Sequence, residues 1–160
     1  MTKDITIDNV EVRRSYYESG ALEYETPYVD GNIHGISKAY YESGALRWET
    51  PYVKGRMHGT EKGYYESGTL SWEASCKEGE PHGLLKHYYE SGVLKYETPY
   101  RNGERHGIER RYYSTGTLEW ETPYVNGEMH GISRDYDKDK TSIAYLTLYD
   151  NGRKMASIKI

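Results

Sequence analysis

The feature that most constrains this chain is a period of 24 residues kept without a gap. Tyr-Tyr pairs begin at Tyr16, Tyr40, Tyr64, Tyr88 and Tyr112, and Tyr136 keeps the spacing with Asp137 in the second place. Three glycine columns run in step: Gly20 to Gly116, Gly31 to Gly127 and Gly35 to Gly131. A fixed period of this length marks an array in which each unit is one supersecondary element that cannot bury its apolar side alone. One unit, from Gly35, reads GISKAYYESGALRWETPYVKGRMH. Its two short runs of aromatic and branched residues are divided by Glu42-Ser43-Gly44 and closed by Lys54-Gly55 and by His58-Gly59. Such runs between glycine turns read as β-hairpins, and each is too short and too turn-broken for a helix. Asp30-Gly31, Asn102-Gly103 and Asn126-Gly127 carry the residues a type I′ hairpin turn demands.

The predicted fold is therefore all-β: an elongated single-layer antiparallel meander of about six 24-residue hairpins. Residues 1–160 are read as one array, with 1–12 a cap strand, 13–136 the in-register repeats, and 137–160 a degenerate last repeat and C-terminal cap. The pattern breaks at Asp137-Lys138-Asp139-Lys140 and resumes one residue late with Tyr145, Tyr149 and Asn151-Gly152.

Strand parity gives an expectation for the two faces. With Glu42-Ser43-Gly44 as a three-residue loop, Tyr40 with Leu46, Lys38 with Trp48 and Ile36 with Thr50 share one side. A two-residue turn at Lys54-Gly55 then puts the next repeat on the wrong side, so each repeat must absorb one extra residue. Thr50-Pro51 and His58-Gly59 are the candidate positions, because proline removes a ladder donor and glycine permits positive φ. On this reading one uniform face carries the Ile36, Tyr40, Leu46 and Trp48 columns. The basic column Arg14, Lys38, Lys62, Lys86, Arg110 and Arg134 then lies across from Tyr24, Trp48, Trp72, Tyr96 and Trp120 in cation–π range. That face exceeds the apolar patch a soluble monomer usually shows, so it is expected to be curled or covered. The opposite face drifts between copies, as solvated strand positions do.

Composition narrows the function. The chain carries 21 basic and 25 acidic residues, net −4, which offers no general attraction to nucleic acid or an anionic membrane. No run reaches the ~18 apolar residues of a membrane helix, and Met1-Thr2-Lys3-Asp4-Ile5 opens neither a signal nor a transit peptide, so a cytoplasmic location is expected. One cysteine, Cys76, excludes an internal disulfide framework. His34, His58, His82, His106 and His130 recur at one turn position. Their spacing, about two strands or ~10 Å, suits no shared ion, so they read as turn residues bonding their own hairpins and no metal or other cofactor is expected. Ser19, Ser43, Ser67 and Ser91 sit in Glu-Ser-Gly turns, and a ladder of equal environments lacks the single asymmetric pocket that catalysis needs. The chain is read as a non-enzyme.

The Tyr-Tyr-Glu-Ser-Gly, Leu-x-Trp/Tyr-Glu and Asn-Gly-x-x-His-Gly motifs, over approximately Glu11 to Gly152, resemble the MORN repeat. They are similar to the bacterial subclass found in MORN-repeat antitoxins of toxin–antitoxin systems. The resemblance implies a hairpin array that binds other proteins, here an antitoxin, immunity or inhibitor protein occluding a toxin, nuclease or effector. The alternatives are a lipid- or membrane-associated scaffold, which the negative charge disfavours, and a nucleic-acid mimic or binder, with direct nucleic-acid binding not expected. A homodimer is compatible with the sequence. Partner-binding candidates are the aromatic columns Tyr40, Trp48, Tyr64, Trp72, Tyr88, Tyr96, Tyr112 and Trp120, because large aromatics anchor interfaces. Leu85 and His87 join them. They lie in the irregular third unit, where Glu73-Ala74-Ser75-Cys76-Lys77 replaces the usual Glu-Thr-Pro-Tyr-Val and proline moves to Pro81.

Overall fold

The computed structural model describes residues 9–138 and 142–160. Every element among them is a β-strand, and every strand pair is antiparallel. The expected cap strand over 1–12 lies mostly outside the described residues, as does part of the break at 137–140. The chain divides into two compact units, residues 1–80 and 81–160.

In the first unit β1 (Val10–Tyr16), β2 (Leu22–Val29), β4 (Gly35–Tyr40), β5 (Leu46–Val53), β7 (Gly59–Tyr64) and β8 (Leu70–Lys77) pair in chain order. Two-residue stubs, β3 (Asn32–Ile33) and β6 (Arg56–Met57), begin β4 and β7 and are cut from them by the histidine. In the second unit β9 (Glu80–Tyr88), β10 (Leu94–Arg101), β11 (Glu104–Arg105), β12 (Gly107–Tyr112), β13 (Leu118–Val125), β14 (Glu128–Met129) and β15 (Gly131–Tyr136) repeat the scheme. The last hairpin is β16 (Ile143–Asp150) with β17 (Arg153–Lys159), reached after the expected one-residue slip.

Both turns form as the sequence predicts. Tyr41 N–H donates to the Ala45 carbonyl at 2.8 Å across Glu42-Ser43-Gly44. Asp30 and Gly31 have φ of 48° and 76°, and Asn126 and Gly127 have 50° and 86°, the positive pair that defines a type I′ turn.

The register between them differs from the parity expectation in two places. First, β4 meets β5 through Tyr40↔Leu46 and then Ala39↔Trp48, so Arg47 is an extra residue. Lys38 therefore faces Glu49, and Trp48 lies on the other side with Ala39. Glu23, Ser71, Lys95, Glu119 and Ala144 hold the same bulge in the other hairpins. Second, β5 meets the following strand through Tyr52↔Met57 and then Glu49↔Lys62, which inserts two residues at His58-Gly59 and none at Thr50-Pro51. His58 N–H still donates to the Pro51 carbonyl at 3.0 Å. Gly59 has φ of 115°, and a Cβ there would sit 3.1 Å from the Pro51 ring, so the position admits glycine alone without strain.

These bulges sort the columns onto two faces. The ladder face carries the first tyrosine of each pair with leucine, the basic column with glutamate, and isoleucine with proline. The tryptophan face carries the Trp/Tyr column, the Thr·Ser positions and the Tyr28-type column. Burial runs opposite to expectation: Ala39, Ser37 and Thr50 on the tryptophan face are 1%, 5% and 1% exposed, whereas Ile36 on the ladder face is 49% exposed. In the second unit Thr98, Thr122, Ser133 and Tyr124 are buried, and Leu84, Ile108 and Ile132 are exposed. The drifting columns are thus the packed ones, because each faces a differently sized neighbour on the adjoining strand.

Candidate interaction surface

On the ladder face, glutamate and the basic column oppose one another from strand to strand, and the arginines of the column are ion-paired. Arg14 Nη2 lies 2.6 Å from Glu25 Oε2. Arg110 bridges Glu97 at 3.3 Å and Glu121 at 3.4 Å, and Arg134 reaches Glu121 at 3.1 Å. The first tyrosine of the pair completes the same cluster. Tyr64 Oη donates to Glu49 at 3.0 Å, Tyr112 Oη to Glu97 at 3.3 Å and Tyr136 Oη to Glu121 at 3.3 Å. Burial, aided by the bond to Glu49, pushes the Tyr64 phenol up to about 12. The cation–π column across from tryptophan is therefore replaced by an ion-pair ladder, since the one-residue bulge moves tryptophan to the other side.

The second tyrosine fastens consecutive repeats. Tyr17 Oη donates to the Tyr40 carbonyl at 2.7 Å, Tyr41 Oη to that of Tyr64 at 2.8 Å and Tyr89 Oη to that of Tyr112 at 2.9 Å. Both tyrosines of the pair thus use a hydroxyl, which gives a physical reason for 19 tyrosines and no phenylalanine. The histidine column also joins repeats: Lys54 N–H donates to His34 Nδ1 at 3.4 Å and Asn126 N–H to His106 Nδ1 at 3.5 Å. The bonded partner is the next hairpin's turn instead of the histidine's own. Among the described residues no group of histidine, cysteine or carboxylate side chains has metal-holding geometry.

What the ladder face leaves unsatisfied is apolar. Beside the ion pairs runs a row in which Leu84 opposes Pro99, Ile108 opposes Pro123 and Ile132 opposes Leu148. Leu84, Ile108, Ile132 and Leu148 are all exposed.

The ten sequence-chosen residues divide between the faces. Tyr40, Tyr64, Tyr88 and Tyr112 lie on the ladder face. Trp48, Trp72, Leu85, His87, Tyr96 and Trp120 lie on the tryptophan face. All ten are half-buried. On the tryptophan face His87 stacks on Tyr96 with ring centroids 4.3 Å apart, and burial, with Lys95 nearby, lowers the His87 pKa below its ordinary value. Trp48 packs against Tyr24 at 5.9 Å, and the Trp72 indole occupies the space a side chain at Gly63 would need. The isoleucine row was missing from the candidate set. Its signal was its uniformity through Ile36, Leu84, Ile108 and Ile132, which sequence reasoning assigned to a covered surface.

A hairpin array with internally satisfied polar rungs and an exposed apolar row belongs to the class of repeat proteins that work as binding surfaces. A family model described as MORN repeat variant matches residues 12–30, 33–54, 57–71, 81–102 and 105–126, and the chain belongs to that family. No curated protein matches the chain. No helix among the described residues is long and apolar enough to cross a membrane.

Proposed function

We propose that this MORN-repeat chain is a cytoplasmic antitoxin-, immunity- or inhibitor-type protein that binds and occludes another protein with its ladder face. The observation carrying this reading is the exposed row Leu84, Ile108, Ile132 and Leu148 beside charges already paired with one another. A partner that covers the row gains apolar burial and need not desolvate unpaired ions. Arg14, Arg110 and Arg134 are engaged by glutamates, which weakens a lipid-phosphate or nucleic-acid reading. The test is affinity capture from the source cell, followed by titration of the purified partner against Ile108→Glu and against Trp48→Ala with Trp72→Ala. Loss of affinity in Ile108→Glu with the double variant retaining it is the expected result. Loss only in the tryptophan variant, with both proteins folded, would refute the ladder-face assignment. Co-expression separates the finer role: an antitoxin relieves growth inhibition by its captured partner.

A further inference from the structure

Twice on the tryptophan face a guanidinium is held between a carboxylate and a tyrosine ring. Arg105 lies 4.1 Å over the Tyr124 ring and reaches Glu109 at 3.5 Å. Arg13 lies 4.1 Å over the Tyr28 ring, and its Nε and Nη2 donate to the two oxygens of Glu11 at 2.8 and 3.2 Å. Both rings belong to one column of the repeat, which also holds Tyr52 and Tyr100. A planar cation can stack on a ring while donating to a carboxylate at its edge, a geometry that suits guanidinium and not ammonium.

A third carboxylate of this face has no such cation. Two periods before Arg105, Glu109 and Tyr124 stand Met57, Glu61 and Cys76. Glu61 is half-buried on β7, Thr50 Oγ1 donates to its Oε1 at 2.6 Å, and among the described residues it enters no ion pair. The register turns the neighbouring cations to the ladder face: Arg56 opposes Val53, Lys62 opposes Glu49 and Glu73, and Lys77 follows Cys76 at the end of β8. The Arg47 guanidinium lies over the Tyr41 ring at 5.7 Å. Burial first, and the Glu61 charge second, push the Tyr52 phenol and the Cys76 thiol up, as a negative charge without a counter-ion does to acids beside it.

Around Glu61 stands the arrangement of Glu109 with its arginine taken out. Tyr52 opposes Met57 as Tyr100 opposes Arg105, so a ring still flanks the place. Opposite the bulge glycine, Cys76 replaces the much larger Tyr124, and Met57 is unbranched and adaptable enough to move aside. Ala74 opposes Glu61 where Thr122 opposes Glu109, so that strand offers no hydroxyl and Glu61 Oε2 is left for an incoming donor. A half-buried carboxylate without its cation is costly, and a partner that brings one in recovers the interaction.

We propose that Glu61, with Tyr52 beside it, receives an arginine side chain of a partner protein on the tryptophan face, a contact separate from the one assigned to the ladder face. Arginine is the occupant because both filled places hold one, each delivered from a polypeptide strand. Titration of the full chain with the peptide N-acetyl-Gly-Arg-Gly-amide, followed in proton–nitrogen correlation spectra, tests it. The amide peaks of Tyr52, Glu61 and Cys76 should shift and saturate, and those of Glu109 and Tyr124 should stay, because Arg105 already fills their place. Glu61→Gln should weaken binding about tenfold or more, and the lysine counterpart of the peptide should bind more weakly than the arginine one. Met57→Arg combined with Cys76→Tyr copies the filled arrangement and should abolish the shifts. Absence of saturable shifts overturns the proposal, as do equal shifts at Glu109 and Tyr124, unchanged affinity in Glu61→Gln, or equal binding of the lysine peptide. Circular dichroism checks the variants, and the Glu61→Gln arm decides on its own if the double variant is unfolded. The titration uses no captured partner, so its outcome stands apart from that of the ladder-face test.

Discussion

The two faces of each unit divide labour in a way that their sequences invert. The ladder face repeats nearly the same residues from copy to copy, yet Ile36 on it is about half exposed. The tryptophan face varies from copy to copy, and it holds the buried Ala39, Ser37, Thr50 and Gly63. Uniformity on the first face follows from its rungs: Glu97 and Glu121 each hold an arginine and a tyrosine hydroxyl at fixed places. Variation on the second follows from packing, because a large ring must be offset by a small neighbour. Gly63 and Trp72 are one such pair, and Ala39 beneath Trp48 is another.

The sharpest way to break this comparison is to enlarge the small partners. Gly63→Ala and Ala39→Leu are each expected to cost about 1–3 kcal/mol by overpacking, while Ile36→Ala stays within about 0.5 kcal/mol. Urea midpoints measure all three, and equal effects on both faces would contradict the division. Next in size, Tyr41→Phe removes the hydroxyl that fastens Tyr41 to the Tyr64 carbonyl, for about 1 kcal/mol by the same assay.

The pH dependence sharpens each face separately. Tyr64 keeps its proton to about pH 12 in the folded chain, whereas an unfolded tyrosine loses it near 10. The folded state therefore binds more protons between those values, and stability falls as pH rises through that window. Tyr64→Phe should flatten part of this loss, read from urea midpoints between pH 9 and 12. The smallest effect belongs to His87, whose pKa burial lowers. Here the unfolded state binds more protons, so stability falls as pH drops below about 6.5, and His87→Gln should reduce that slope.

Much of the fold was legible because its turns have chemical signatures. Asp30-Gly31, Glu42-Ser43-Gly44 and His58-Gly59 all mark turns or bulges that form. The bulge at Arg47 has no such signature, since its backbone accepts Glu23, Ser71, Lys95, Glu119 or Ala144 equally well. The diversity of that column was the trace it left, and it read as solvent drift. One missed residue was enough to exchange tryptophan with glutamate between faces and to place a cation–π column where an ion-pair ladder stands. Aromatic residues were accordingly chosen as anchors on both faces, and the isoleucine row was passed over.

Neighbouring residues with opposite fates give the most direct test of the face assignment. In a Cys76→Ser background, Ile36→Cys and Ser37→Cys place a thiol on the ladder face and the tryptophan face of the same strand. Thiol accessibility under native conditions, followed with a chromogenic disulfide reagent, should show Ile36→Cys reacting rapidly. Ser37→Cys should stay protected until the chain is unfolded. Protection of Ile36→Cys with rapid reaction of Ser37→Cys would show that the ladder face is the covered one, and the account would fail.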